Sequence, residues 1–332
     1  MKKVSKLNIL LVAEEAAGAH ALRLITSSQH TLVAVLTTLP RLESNTVRNE
    51  LHQKSGAMKK SLNSNLITLA NNFEIPVLDS NLVKNPEFAL WIITNQIDVL
   101  LNIHSLYRIC PEVTKATCIG AFNLHPGPLP DYAGLNAPSW AVYNQESHHA
   151  VTLHHISEII DSGFIAYQTQ FSIGSKDTGL TVSIKCAQEG LKLIEQLLNQ
   201  LSSDPHSIPS IPQEKSVKNP YKRNQIPGDG YIQWTESAQK IDSFIRACNY
   251  YPFVSPWGEP KTKWRESEIS ILKIETTNQP CHEKPGTIGQ LIKNKISIAT
   301  SDFWILVDKC RIEGKLCNGS SLLTPGDFLT SD

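Results

Sequence analysis

Three polar residues of the sequence have the types and spacing that suit the stabilisation of a negative oxygen. Asn123 and His125 are separated by one residue and follow an apolar run. Asp161 follows His125 by 36 positions and lies in an Asp-Ser-Gly turn. An amide and a charged imidazole both donate hydrogen bonds to an oxygen that becomes negative in a transition state. A carboxylate beside the imidazole would accept protons from an attacking nucleophile. The set therefore predicts a site that stabilises an oxyanion and relays a proton.

A histidine considered without its neighbours is more commonly structural than catalytic. A single histidine after a strand is commonly structural or solvated, so His125 gains its interpretation from its two partners. His148 with His149, and His154 with His155, could suggest metal binding. Adjacent residues of a strand face opposite sides, however, so neither pair chelates easily. We interpret those four histidines as surface or core residues, and we expect no metal.

The elements that must position the set follow from short apolar runs that alternate with helical patterns. Buried strands are predicted at residues 7–12, 31–37, 75–78, 97–103 and 121–124. Such alternation is typical of an α/β fold with a doubly wound, mostly parallel sheet. Ligands of these sheets bind at the carboxyl ends of the strands, which is where Asn123 and His125 stand.

The amino-acid composition of the sequence changes after residue 202. Residues 180–202 predict one long helix or two abutting ones, with Gly190 as a weak point, and residues 202–224 have the proline and serine content of a linker. Short alternating strands within 288–312 predict a small antiparallel barrel. We therefore expect three segments: a catalytic domain at 1–205, a linker at 206–224 and a C-terminal, OB-like barrel at 225–330.

Composition argues against several classes of protein. Of the 332 residues, 31 are basic and 31 acidic, so no overall field draws the chain to nucleic acid or membrane. The seven cysteines form no C-x-x-C pair, which argues against a disulfide framework or a zinc ribbon. No run approaches the roughly 18 to 20 apolar residues of a membrane span. We expect a cytoplasmic protein.

The motifs together resemble the catalytic core of the folate-dependent formyltransferases. The resemblance rests on Asn123-Leu124-His125, Pro128-Leu129-Pro130, Tyr132-Ala133-Gly134 and Asp161-Ser162-Gly163. The tail, with IQWTESAQKIDSFIRACNYYPF, KPGTIGQLI and TPGDFL, is similar to the C-terminal barrel of methionyl-tRNA formyltransferases. The runs LLNIHSLYRI, FNLHPGPLPDYAGLNAPSWAVYN and RACNYYPFVSPWGEP resemble more closely the formylation domains of nonribosomal peptide synthetases.

This resemblance implies a metal-free enzyme that transfers a formyl group from the co-substrate 10-formyltetrahydrofolate to an amine. Asn123 and His125 would stabilise the oxyanion, and Asp161 would keep His125 charged, orient a water and help relay the amine proton. Gly127 departs from the family pattern, which usually has a serine there, so that hydroxyl is missing. The resemblance also implies a set of folate contacts: Tyr107, Arg108, Ile109, Pro128, Leu129, Pro130, Ser157 and Ile160.

The formyl acceptor is left open by the sequence. A transfer-RNA acceptor needs a basic surface, but residues 224–332 hold 12 basic and 13 acidic side chains. Residues 41–60 and the basic residues of the linker could contribute one. We expect a small or carrier-bound amine of aminoacyl or amino-sugar type, with methionyl-tRNA as the alternative and no membrane partner.

Two alternatives belong to other classes of protein. A 10-formyltetrahydrofolate hydrolase would keep all three polar residues but usually carries an additional N-terminal regulatory domain. A non-catalytic folate- or nucleotide-binding scaffold should have lost at least one of Asn123, His125 and Asp161, and all three are present.

Overall fold

The computed structural model describes residues 6–39, 66–103, 105, 107–214 and 220–331. The chain divides into two compact units. The first contains residues up to 134 together with 150–171 and 185–220, and the second contains 135–149, 172–184 and the residues from 221 onward. The domain limits at 205 and 224 stay a prediction.

A seven-stranded sheet forms the centre of the first unit. Its strands are β1 (Asn8–Ala13), β2 (Thr31–Thr37), β3 (Val77–Asp79), β4 (Val99–Ile103), β5 (Gly120–His125), β6 (His148–His155) and β7 (Ile165–Ser172). They are ordered β3-β2-β1-β4-β5-β6-β7. The first five strands pair in parallel, and β6 runs antiparallel to β5. All five strands predicted from the sequence are present.

Apolar side chains cover both faces of this sheet. Along β1, Leu11 belongs to one hydrophobic cluster and Leu10 to the other, as the alternation of a strand requires. The first cluster includes Leu22 and Ile194 from two helices, and the second includes Ile92 from a third. Helices on both faces confirm the doubly wound architecture. In the described part of the chain the α-helices up to residue 203 are α1 (Glu15–Ser27), α2 (66–72), α3 (Phe88–Thr94), α4 (Pro111–Lys115), α5 (Ala137–Tyr143) and α6 (Gly179–Ser203), and a short 3-10 helix spans Ser80–Lys84.

Helix α6 is one continuous helix of 25 residues, so Gly190 does not interrupt it. The glycine marks a close approach instead. A Cβ atom built on Gly190 would lie 2.7 Å from Cδ2 of Leu124 on β5. The absence of a side chain at this position therefore brings the helix down onto the strand that carries Asn123 and His125.

The second unit is built on an antiparallel sheet. Ser237 is the N-cap of helix α7 (Ala238–Ala247), and its hydroxyl accepts a hydrogen bond from the backbone N–H of Lys240. The strands that follow have the order β10-β11-β12-β9-β8-β14, with β13 paired to β12. This confirms the predicted fold class, a mostly parallel α/β sheet with a C-terminal antiparallel domain. The elements are β8 (Lys261–Trp264), β9 (Ser267–Pro280), β10 (Ile288–Ile292), β11 (Lys295–Ala299), β12 (Phe303–Ile312), β13 (Lys315–Asn318), α8 (Gly319–Leu322) and β14 (Leu329–Thr330).

Among the described residues, no helix is both long enough and apolar enough to cross a membrane.

Candidate active site

The carboxyl end of β5 carries both Asn123 and His125. The two residues are two positions apart, so their side chains lie on one face of the sheet, while Leu124 between them faces α6. The loop after β5 is tied to β6 by the hydroxyl of Thr152. That hydroxyl donates to the carbonyl of Gly127 (2.7 Å) and accepts the N–H of Leu129 (3.3 Å). The proline- and glycine-rich loop is therefore anchored directly beside the two polar side chains.

Asp161 lies in the turn between β6 and β7, in a left-handed conformation with φ of 55°. Its Oδ2 accepts the backbone N–H of Gly134 at 2.8 Å. The side-chain amide of Gln213 donates to the carbonyls of both Asp161 and Gly163, at 2.8 Å each. Gly163 is required for steric reasons, since a Cβ atom there would come 1.7 Å from the carbonyl oxygen of His155. The turn is thus held on both sides in the one conformation that directs its carboxylate inward.

His125 and Asp161 face each other inside the protein. Nδ1 of His125 lies 3.5 Å from Oδ2 of Asp161, and the two side chains are 4% and 9% exposed. The other ring nitrogen, Nε2, lies 2.7 Å from the carbonyl oxygen of Tyr132. Both neighbours of the ring accept hydrogen bonds, and only a charged imidazole donates from both nitrogens. The acceptors around the ring are therefore arranged to receive hydrogen bonds from its charged form.

Burial and charge act in opposite directions on this pair. Burial lowers the pKa of His125 below its ordinary value, against the negative charge of Asp161 and the carbonyl of Tyr132, which raise it. Burial acts to raise the pKa of Asp161, but the positive charge of His125, the adjacent His154 and the backbone N–H of Gly134 lower it to about 2. Asp161 is therefore ionised at neutral pH.

Two further residues belong to this cluster, and the sequence interpretation missed both. His154 places Nε2 at 3.0 Å from Nδ2 of Asn123 and at 3.5 Å from Oδ1 of Asp161. Asn102 donates from Nδ2 to Oδ1 of Asn123 at 2.8 Å. His154 was expected to be a surface or core residue, and it is buried but touches the polar cluster. The neighbouring His155 turns to the opposite face and packs against Phe122 with the ring planes tilted by 48°, as the strand alternation predicts.

Comparison with known proteins decides the family. Residues 9–198 match the family model described as "Formyl transferase", and residues 226–324 match "Formyl transferase, C-terminal domain". The first match covers more than half of the chain. The chain belongs to the formyltransferase family. The resemblance that the motifs suggested is confirmed.

Individual relatives agree with this assignment. The chain is 29% identical, over 253 residues, to the methionyl-tRNA formyltransferase of Desulforamulus reducens, covering 74% of this chain and 75% of that protein. It is 25% identical, over 299 residues, to the methionyl-tRNA formyltransferase of Orientia tsutsugamushi, with 89% of each covered. The fold is similar to that of an N-formyltransferase from Helicobacter canadensis in complex with folinic acid and dTDP-3-aminofucose, with a TM-score of 0.63 and 19% identity. That alignment covers 91% of this chain and 98% of the other.

The predicted folate contacts of this formyltransferase fall into three groups. In the segment after β4, the hydroxyl of Tyr107 lies 3.2 Å from that of Thr38, and the exposed Arg108 donates to the carbonyl of Glu158 at 2.7 Å. The side chain of Ile109 is buried in the hydrophobic cluster that contains α3. Any contact that Ile109 makes with a ligand must therefore come from its backbone.

The second group lies in the loop after β5. The carbonyl of Pro128 accepts the N–H of Tyr132 at 2.9 Å, and Leu129 is buried. Pro130 follows a cis peptide bond and is partly exposed. Only the prolines of this group are accessible to a ligand through their side chains.

The third group lies in the turn that leads to Asp161. The hydroxyl of Ser157 donates to the carbonyl of Ile159 at 2.8 Å, which closes the turn. Ile159 and Ile160 are 68% and 52% exposed. Two neighbouring isoleucine side chains are therefore exposed in the turn that leads to Asp161.

Part of the sequence interpretation falls outside this description. The segment 41–60 and the linker lysines at 215 and 218 lie outside the described residues. Within the described part of the chain, no group of three or more His, Cys, Asp or Glu side chains is arranged to hold a metal ion.

Proposed function

We propose that this formyltransferase transfers the formyl group of 10-formyltetrahydrofolate to the primary amine of a small or carrier-bound acceptor. The observation that carries the proposal is the buried cluster at the end of β5. It combines the amide of Asn123 with the imidazole of His125, whose Nδ1 lies 3.5 Å from Oδ2 of Asp161. Hydrogen-bond donors held in place around a carbonyl oxygen stabilise it as it becomes negative.

The residues present suit a folate. The pterin of the donor has an amide-like edge and flat apolar faces. The exposed Ile159 and Ile160 offer an apolar surface, and the backbone of the same turn offers hydrogen-bonding groups. The predicted contacts of Tyr107, Arg108 and Ser157 stay part of this proposal.

In the proposed reaction, the lone pair of the neutral acceptor amine forms the new C–N bond at the formyl carbon. Nδ2 of Asn123 has two hydrogens and uses one toward His154, so the second is suited to the oxygen that becomes negative. His125 acts through the positive charge that its imidazole carries when protonated, beside the carboxylate of Asp161. When the bond from the formyl carbon to N10 breaks, the amine proton passes by way of Asp161 and a water to N10, and tetrahydrofolate leaves.

Methionyl-tRNA is the second candidate acceptor, because the curated relatives reported above are methionyl-tRNA formyltransferases. The balanced charge of residues 224–332 favours the small or carrier-bound amine. An acceptor of the tRNA class requires phosphate contacts, and these give binding a steep dependence on salt.

The experiment is an incubation of the protein with 10-formyltetrahydrofolate and a panel of acceptors, namely amino sugars linked to nucleotides, aminoacyl groups on a carrier, and initiator methionyl-tRNA. Release of tetrahydrofolate and the mass of each product are followed. A formylated small or carrier-bound amine supports the proposal. Formylated tRNA, with binding that collapses between low and moderate salt, overturns the choice of acceptor. Free formate in the absence of any amine indicates a hydrolase.

A further inference from the structure

A row of three polar side chains crosses three neighbouring strands of the sheet. Asn102 on β4 is the register partner of Asn123 on β5, and His154 on β6 is the register partner of Asn123 on its other side. Nδ2 of Asn102 donates to Oδ1 of Asn123 at 2.8 Å, and Nδ2 of Asn123 lies 3.0 Å from Nε2 of His154. The Asn123 amide is therefore bound at both ends.

The direction of the hydrogen bonds in this row is determined by His154. Its Nδ1 lies 2.9 Å from the carbonyl oxygen of His155, and a carbonyl only accepts, so Nδ1 carries the hydrogen. In a neutral imidazole the other nitrogen, Nε2, then accepts. Only the NH₂ end of the Asn123 amide can face such an acceptor. Its oxygen must therefore face Asn102, which donates to it.

This order removes an ambiguity that asparagine usually has. The two ends of an amide are nearly equal in size, and only the surrounding hydrogen bonds decide which end is the nitrogen. Here His154 also lies 3.5 Å from Oδ1 of Asp161. The side-chain nitrogen of Asn123 is thus held on the side where His125 and Asp161 face each other.

We infer that Asn102 and His154 are positioning residues that keep the nitrogen of Asn123, rather than its oxygen, directed at the reacting carbonyl. This inference rests on the proposed function, in which Asn123 donates to the oxygen that becomes negative. A reversed amide would present a lone pair to that oxygen and would repel it. Loss of one such donor costs about 10² to 10³ in turnover.

The sharpest test uses two substitutions of Asn102. Asn102→Asp keeps the size of the side chain, but a carboxylate only accepts, so it repels the oxygen of Asn123 and draws its nitrogen away from His154. Asn102→Ala removes the donor without creating an opposing acceptor. We expect kcat to fall about a hundredfold in N102D and about tenfold in N102A, with KM for the folate nearly unchanged in both.

A purely structural role for Asn102 predicts the reverse order, because aspartate fills the space of asparagine better than alanine does. An equal or smaller loss of kcat in N102D would therefore overturn the inference. Thermal unfolding of both variants is measured in parallel, and only folded protein is compared. If N102D does not fold, substitutions at the other end of the row decide.

At that other end, His154→Gln places an amide oxygen near the position of Nε2, and His154→Leu removes the acceptor while keeping an apolar volume. We expect H154Q to retain most of the turnover and H154L to lose about tenfold to a hundredfold in kcat. Equal activity in the two variants would contradict the inference.

A measurement without any substrate separates this inference from the proposed function. The ¹⁵N shifts of labelled His154, assigned by comparison with H154Q, report which ring nitrogen carries the hydrogen at neutral pH. Hydrogen on Nδ1 alone is expected, and hydrogen on Nε2, with or without hydrogen on Nδ1, would overturn the inference. An absence of formyl transfer by the wild-type protein would instead defeat the proposed function and leave this result standing.

Discussion

Gly190 on α6 and Leu124 on β5 are in such close contact that a methyl group on the glycine would overlap the leucine side chain. The added Cβ atom would lie 2.7 Å from Cδ2 of Leu124 and 3.3 Å from both its Cγ and its Cδ1. Because three atoms of the leucine are involved, rotation of one bond does not relieve the overlap. The helix and the strand of the candidate site are therefore matched in shape at this point.

Gly190→Ala should destabilise the protein even though alanine is the better helix former. Alanine in a helix interior gains about 1 kcal/mol over glycine, whereas overpacking a buried contact costs about 1–3 kcal/mol. We expect the free energy of unfolding in urea to fall by about 1 kcal/mol. In a Leu124→Ala background, which opens space, the same substitution should become neutral or stabilising. A stabilising effect in the wild-type background would show that α6 does not press on β5.

His125→Ala should reduce turnover much more than folate affinity. In the proposed function, protonated His125 stabilises an oxygen that becomes negative only in the transition state, so its removal should lower kcat by about 10² to 10³. Binding of a non-reactive folate should change by less than about fivefold in the same variant, measured by fluorescence quenching. His206→Ala, which removes an exposed histidine, is the control. A loss of affinity as large as the loss of turnover would assign His125 a role in binding.

The carboxyl group of Asp161 should make stability depend on pH in the acid range. Its pKa is lowered from 3.8 to about 2 in the folded protein, so the unfolded chain binds more protons between these values. The stabilisation, about 2 kcal/mol, is complete above pH 4 and is lost as the pH falls toward 2. His125, whose pKa is also lowered, adds a loss in the same direction below its ordinary value near 6.5.

This dependence can be measured with Asp161→Asn, which has the same shape and no ionisable group. The difference in unfolding free energy between wild type and variant should shrink by about 2 kcal/mol between pH 5 and pH 2. Asp131→Asn, at an exposed aspartate, serves as the control for the removal of a surface carboxylate. A constant difference for D161N would mean that Asp161 is not paired in the folded protein.

Arg108 and Lys115 offer a matched pair of substitutions at the turn before Asp161, because both side chains interact with Glu158. Arg108 donates to its backbone carbonyl at 2.7 Å, whereas Lys115 pairs at 3.0 Å with its carboxylate, and both lysine and glutamate side chains are about 70% exposed. Arg108→Ala should raise KM for the folate severalfold with little change in kcat, because the backbone of the turn loosens. Lys115→Ala should leave both constants near wild type, since exposed ion pairs contribute little. Equal effects of the two substitutions would argue against a role for the Arg108 contact.

The sequence was sufficient to predict the strands and the family and to place Asn123 and His125 at the end of one strand, because apolar runs and a local Asn-x-His spacing are properties of neighbouring positions. Asn102 and His154 could not be found in the same way. Each meets Asn123 only through strand register, and register depends on how separate segments pair. A signal was nevertheless present, since an asparagine inside the apolar run of β4 and a histidine inside that of β6 are costly to bury without partners. Gly190 was taken for a weak point of its helix because its contact with Leu124 lies across the fold.

The contact of Gln213 with the carbonyls of Asp161 and Gly163 has a consequence for the order in which this protein is made. Gln213 lies 52 residues after Asp161 and beyond the end of α6. A ribosome that has translated Asn123, His125 and Asp161 has therefore not yet supplied the side chain that closes the turn of the carboxylate. Domains generally fold as units while synthesis proceeds. The nascent chain should thus acquire its sheet first and a complete candidate site only when the segment after α6 emerges.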